Sequence, residues 1–234
     1  MLIANPDYLE IQLPFSNPVV DGTVIQKADY QALQFPLNLE SILFEINQVK
    51  QKTNSTTKLI LMSYITPAFD FGMAKLSVIL SRNGFIGAII PDCPVGCPEF
   101  DLFQKSSDQI LIPVISPLTT VDRLIFIRSQ MKANQMIYAT ARSGLTGVKT
   151  DLNHPGFLGY ADFLKCQLPN NPIALGFGIR TRDQVRQVQS LDLIPVVATE
   201  LISRIDLAWQ TPRQQKNSSA EVVYNWCREV MISV

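Results

Sequence analysis

Short apolar runs alternate with longer stretches in which apolar residues recur every three or four positions, and this rhythm does not change along the chain. The short runs predict strands at Tyr8 to Leu13, Lys58 to Ser63, Gly87 to Ile90, Gln109 to Val114, Gln135 to Thr140, Ile173 to Gly176 and Ile194 to Val197. Each is bounded by polar or Gly/Pro residues and is apolar on both faces, as a strand covered by helices on either side must be. The longer stretches predict helices at Leu39 to Gln51, Met73 to Asn83, Glu99 to Ser106, Val121 to Met131, Tyr160 to Leu168, Arg182 to Leu191 and Ala220 to Met231. Asn38, Thr120 and Thr181 precede three of them as N-caps. Repeated β-then-α units imply a parallel sheet, and the pattern fits an α/β barrel in one domain over residues 1–234. Seven strands are predicted where a closed barrel has eight. The expectation is therefore a barrel without its first βα unit, or a gene product that starts further upstream.

Composition removes several function classes. The 234 residues carry 20 basic and 20 acidic side chains, with no cluster of Lys and Arg of the kind that grips phosphate backbones. No apolar run approaches the roughly 20 residues that cross a bilayer, and the N-terminus has no signal-peptide pattern, so a cytoplasmic protein is expected. Charged residues are 17% and hydrophobic residues 47%, which fits either a large core or a surface partly covered by another subunit. Cys93, Cys97, Cys166 and Cys227 have no C-x-x-C spacing and read as free thiols. His154, the single histidine, lies in a Pro-flanked stretch and reads as a loop residue; one histidine builds no multi-histidine metal site. No dinucleotide or Walker motif occurs, so no cofactor is expected.

In a parallel barrel, chemistry sits at the C-terminal ends of the strands. Glu10 is the anomaly of the first predicted strand, a carboxylate among Tyr8, Leu9, Ile11 and Leu13. Facing inward it would be desolvated and its pKa raised toward neutrality, as general acid/base work requires; facing outward it would pair with a helix Lys. Asp21, before Gly22, is an ordinary turn former or the second member of a carboxylate pair with Glu10. Gly144, Gly147, Gly176, Gly178 and the Ala198-Thr199 step follow consecutive late strands, in the order of a barrel's phosphate cradle.

These residues carry a resemblance. Leu9-Glu10-Ile11-Gln12-Leu13-Pro14-Phe15-Ser16-Asn17-Pro18-Val19-Val20-Asp21-Gly22 resembles the signature of the tryptophan synthase alpha chain family. Leu61 to Tyr64, Ile90 to Val95, Arg142 to Gly147 and Gly176 to Ile179 match further motifs in family order. The resemblance implies a (β/α)8 TIM barrel that cleaves indole-3-glycerol phosphate into indole and glyceraldehyde 3-phosphate, without a cofactor and in association with a beta chain. It implies that Glu10 is the general acid/base and that Asp21 accepts the indole N–H. By the same token Tyr64, Tyr138, Thr146 and Phe177 line or support the indole pocket, and Gly147, Gly178, Ala198 and Thr199 hold the phosphate. The loop of Asp21 and the Arg142 to Pro155 loop would close over substrate and contact the beta chain.

Departures from the family pattern are Gln12 for Gly, Asn17 for Asp, Thr23 for Pro, Thr66 for Asn, Arg180 for a small residue, read as solvent-exposed, and Ala198-Thr199 for Gly-Ser. The absent first βα unit would supply one wall of the indole pocket. Two other functions stay open: a truncated relative, catalytically weak or dead, that binds the beta chain, and another phosphate-binding barrel enzyme acting on a related sugar phosphate.

Overall fold

The computed structural model describes residues 1–141, 151–176, 178–210 and 216–231. Its strands are β1 (Tyr8–Gln12), β2 (Lys58–Met62), β3 (Phe85–Ile89), β4 (Ile110–Ile112), β5 (Val114–Ile115), β6 (Ile137–Thr140), β7 (Ile173–Gly176) and β8 (Ile194–Pro195). All pair in parallel, in the orders β1-β2-β3-β4 and β5-β6-β7-β8. Only Pro113 separates β4 from β5. It has no N–H to donate to a ladder, but its carbonyl accepts from Tyr138 N at 2.9 Å, so one chain segment passes from pairing with β3 to pairing with β6. The segment read as a single strand over Gln109 to Val114 is thus broken by its proline, and eight short strands occupy seven barrel positions.

The helices are α1 (Thr23–Ala32), α2 (Leu39–Lys52), α3 (Ile65–Phe71), α4 (Met73–Arg82), α5 (Pro98–Ser106), α6 (Val121–Ser129), α7 (Pro155–Gln167), α8 (Arg182–Ser190), α9 (Thr199–Gln210) and α10 (Lys216–Met231). Asn38 and Thr120 accept hydrogen bonds from Ser41 N and Arg123 N, and Thr181 forms a reciprocal capping box with Gln184. Three helices, α1, α3 and α9, go beyond the sequence expectation. His154 is not merely a loop residue: its Nδ1 accepts from Gly156 N at 3.1 Å and caps α7, which therefore starts earlier than Tyr160. Among the described residues, no helix is long and apolar enough to cross a membrane.

The period of two along each strand sorts the core into two layers. Ile60, Met62, Ile89, Ile112 and Ala174 point into the barrel with Tyr8, Tyr138 and Ile194 packed against them. Their neighbours Leu59, Leu61, Ala88, Leu111 and Leu175 point outward under the helices. Among the described residues, no ladder joins β1 to β8. At that seam α1 and α9 pack on each other, with Lys27 Nζ 2.7 Å from Asp206 Oδ2. A cavity of about 440 Å³ runs from the barrel interior into the seam, lined by β1, Ile194 to Ala198, α1 and α9.

Candidate active site

The pleat of β1 directs Tyr8, Glu10 and Gln12 to the barrel interior and Leu9 and Ile11 to the helix layer. Glu10 lies opposite Ile60 in the ladder and shares the cavity with Ile60, Ile89, Met136, Tyr138 and Ala174. Its carboxyl is pushed up to about 7, first by desolvation among these apolar side chains and then by the negative charge of Asp21. No ion pair among the described residues includes Glu10, so the outward, lysine-paired arrangement is not what forms.

Asp21 is buried at 2% exposure, far from the behaviour of an ordinary turn residue. A turn closed by Asp21 N donating to Pro18 O, and the Gly22 start of α1, aim its side chain back over the barrel mouth. Its Oδ2 accepts from the Tyr64 hydroxyl at 2.7 Å and from Gln12 Nε2 at 3.2 Å. Its carbonyl accepts from Gln26 Nε2 at 2.8 Å. Tyr64, fully buried between β2 and α3, also accepts from Val20 N at 3.3 Å and packs its ring 5.4 Å from that of Phe15. Burial and the Asp21 carboxylate raise the Tyr64 phenol, which therefore acts as a fixed donor rather than an acid.

Tyr138 enters the same interior from β6, and burial followed by the charge of Glu10 raises its phenol. It rests directly on Gly176 of β7: a Cβ built there would overlap the Tyr138 hydroxyl. Gly176 is thus a site residue through what it leaves room for. Gly176→Ala is expected to displace the Tyr138 ring and raise KM by about tenfold, the effect of a lost packing contact of 1 to 2 kcal/mol. Steady-state kinetics checks it; because the ring atoms Cζ and Cε1 would also lie 2.6 and 2.9 Å from the new Cβ, Tyr138→Phe should not restore KM.

After β7, Gly178 holds φ +89, a left-handed conformation that glycine adopts without strain. The capping box after it places the Gln184 Oε1 acceptor 2.9 Å from Arg180 N and 3.2 Å from Thr181 N, while Thr181 Oγ1 accepts from Gln184 N in the first turn of α8 at 3.3 Å. α9 differs. It begins after Ala198, whose methyl offers no acceptor to the first-turn amides, and the Ala198 carbonyl already receives Ile202 N at 2.9 Å. Ala198, just before that end of α9, lines the cavity, and a helix start there suits an anion. Arg180 is half-buried, not the solvent-exposed side chain expected from sequence. Thr146, Gly147 and Phe177, with Gly144 and most of the Arg142 to Pro155 loop, lie outside the described residues.

One side chain of the site was missed by sequence reasoning. Asp29 on α1 is 5% exposed and its Oδ2 accepts from Gln12 Nε2 at 2.9 Å. Burial, and then Asp21, push it up to about 7. The available signal was spacing: Ile25, Asp29 and Ala32 fall on one helical face, and a carboxylate within an apolar face needs a reason.

Known proteins share the family and the fold of this chain. The sequence profile of the tryptophan synthase alpha chain family matches residues 1–231. The alpha chain of Leptospira borgpetersenii is 33% identical over 191 residues, covering 78% of this chain and 68% of the relative. That of Dehalococcoides mccartyi is 28% identical over 229 residues, covering 97% and 84%. Among solved structures, the alpha chain of Legionella pneumophila superposes with a TM-score of 0.77 at 25% identity, covering 97% of this chain and 81% of that one. A tryptophan synthase structure from Mycobacterium tuberculosis gives 0.76 at 20% identity over 97% and 82%, a likeness of fold.

Proposed function

The chain belongs to the tryptophan synthase alpha chain family, lyases of tryptophan synthesis, and from that premise we propose that it cleaves indole-3-glycerol phosphate into indole and glyceraldehyde 3-phosphate with Glu10 and Asp21 as its catalytic residues. The observation that carries the reading is the inward Glu10, held near neutrality, with Asp21 locked over the same cavity. In its neutral form Glu10 gives its proton to C3 of the indole ring. Asp21 accepts the ring N–H and stabilises the positive charge that this creates. The Glu10 carboxylate then takes the proton of the glycerol hydroxyl next to the ring, the carbon–carbon bond breaks, and its electron pair returns to the ring. Glu10 ends as it began, protonated. A single group that must give and then take a proton works best with a pKa near the operating pH.

Tyr64 and Tyr138 serve the ring end of the substrate, Tyr64 by fixing Asp21. The phosphate is assigned to the turn at Gly178 and the start of α9 at Ala198 and Thr199. Adding a negative charge there separates binding from chemistry: Ala198→Glu should raise KM for the phosphate ester by about tenfold or more while kcat stays within about threefold. A KM that does not move would place the phosphate elsewhere.

The assembled carboxylates support an active lyase over a relative that only binds. Partnership with a beta chain is part of the proposal, and the exposure of Val19, Phe69 and Leu118, on segments that follow β1, β2 and β5 at the barrel mouth, suits a subunit interface. Incubation with indole-3-glycerol phosphate should yield indole and glyceraldehyde 3-phosphate in equal amounts by mass spectrometry. Turnover of a different sugar phosphate with none of this one would favour the other barrel enzyme.

A further inference from the structure

Three carboxylates lie near one another, Glu10 and Asp29 lining the cavity and Asp21 close enough for its charge to act on both, and the proposed chemistry uses two. The third, Asp29, is reached through Gln12, whose Nε2 donates to Asp29 Oδ2 at 2.9 Å and to Asp21 Oδ2 at 3.2 Å. An amide nitrogen carries two hydrogens, and here each meets a carboxylate. Gln12 is itself fixed by β1, where it pairs with Met62, and Asp29 is fixed by α1, so the amide spans two rigid elements with the loop residue Asp21 between them.

We propose that Gln12 and Asp29 form a positioning pair for Asp21, in which the amide clamps the Asp21 carboxylate in its inward orientation and the Asp29 carboxylate, buried behind the amide, adds a second negative charge that strengthens Asp21 as an acceptor. The proposal rests on the lyase reading for its kinetic consequences and on geometry alone for the clamp.

The surroundings of Asp29 favour this role. Asp21 faces it from the loop, Glu10 and Gln12 line the same cavity from β1, and the Tyr64 phenol lies close enough to feel its charge. α9 presents Leu201, Ile202 and Ile205 to the same cavity, none of them titratable. Lys27, on the same helix as Asp29, is turned to Asp206 of α9, and no ion pair among the described residues includes Asp29. A carboxylate with no cation and one amide donor is stabilised chiefly by the hydrogen bond it receives, so whatever moves Gln12 moves both acids.

Asp29 is pushed up to about 7 by burial first and Asp21 second, with the Gln12 hydrogen bond acting against both. It therefore gains charge as the pH rises through neutrality, and Asp21 becomes the stronger acceptor as it does so. The sign for stability follows. With its folded pKa above the unfolded value, Asp29 leaves stability intact in acid and erodes it as pH rises from about 4 to about 7.

The test compares Asp29→Asn, which keeps an oxygen acceptor for Gln12 and removes the charge, with Gln12→Leu, which removes the clamp at similar volume. Relative to wild type at the same pH, Asp29→Asn should fall about tenfold in kcat at pH 8 and approach it at pH 5.5, over and above the loss of the Glu10 proton that both proteins share. Gln12→Leu should lower kcat by about tenfold at every pH with KM within about twofold. A purely structural Asp29 would instead scale the whole profile uniformly, and that result overturns the proposal, as would unchanged kcat in Gln12→Leu. A readout without activity keeps the lyase reading separate: the urea midpoint of Asp29→Asn should exceed that of wild type at pH 8 and match it at pH 4. A chain that releases no indole yet shows this pH-dependent gain would sink the lyase reading and keep the pair; a midpoint difference independent of pH would sink the pair.

Discussion

Glu10→Gln is expected to lower kcat for indole release by about 10² to 10⁴, the range over which one positioned acid/base acts, with KM little changed. Gln matches the size of Glu and can remain in the cavity beside Tyr138, so binding persists while the transferable proton is gone. The same burial that tunes Glu10 destabilises the fold. Its pKa rises from 4.5 to about 7, so the native state holds a proton that the unfolded chain releases, and stability falls as pH rises through that window. The shift corresponds to about 3 kcal/mol at pH 8 as an order of magnitude, at 1.36 kcal/mol per pKa unit. Glu10→Gln should therefore be nearly inactive and yet more stable than wild type at pH 8, with the advantage vanishing near pH 4. Urea titrations at the two pH values check the stability half. A variant that is inactive and also destabilised at pH 8 would mean that the carboxylate serves the fold.

Asp21→Asn is expected to cost about 10² to 10³ in kcat, the loss that follows removal of one electrostatic stabiliser aimed at developing charge. Asp21 is anchored by the Tyr64 hydroxyl at 2.7 Å and the Gln12 amide at 3.2 Å, and an Asn can keep one such acceptor while losing the negative charge. The loss should appear in kcat and not in KM, because the ring becomes cationic only on the way to the transition state. Asp21→Ala should be worse in a different way, since the buried Tyr64 hydroxyl and Gln12 amide would each lose an acceptor. Kinetics of the two variants side by side separate charge from anchoring. Equal activity in wild type and Asp21→Asn would leave the ring N–H to another acceptor.

The strands were legible because a parallel strand covered on both faces is nearly all apolar, as Leu59-Ile60-Leu61-Met62 and Ile173-Ala174-Leu175 are. The helices that sequence missed share a reason. Pro67 within Ile65–Phe71 reads as a breaker, although the first turn of a helix tolerates it. Thr23–Ala32 is short, with a narrow apolar face, and follows a loop rich in turn residues. Thr199–Gln210 comes so soon after β8 that its first residues read as the loop after the strand, part of a phosphate cradle. At the site, Glu10 was conspicuous because a charge in an apolar run breaks the local pattern. Asp29 was not, because its burial arises only when α1 docks on the seam beside β1 and meets Gln12. Gln12 itself was noticed as an unusual residue, but its reach to both acids depends on three-dimensional neighbours that no spacing rule supplies.

The inward placement of Glu10 gives the account its most direct test. Single-turnover release of indole from indole-3-glycerol phosphate should be followed by absorbance for wild type and Glu10→Gln, each alone and with a tryptophan synthase beta chain. Wild type should release indole, faster with the beta chain, and Glu10→Gln should lose about 10² or more under both conditions. Indole release at the same rate by both proteins would contradict it, because the barrel would then be doing the chemistry without the desolvated carboxylate of β1.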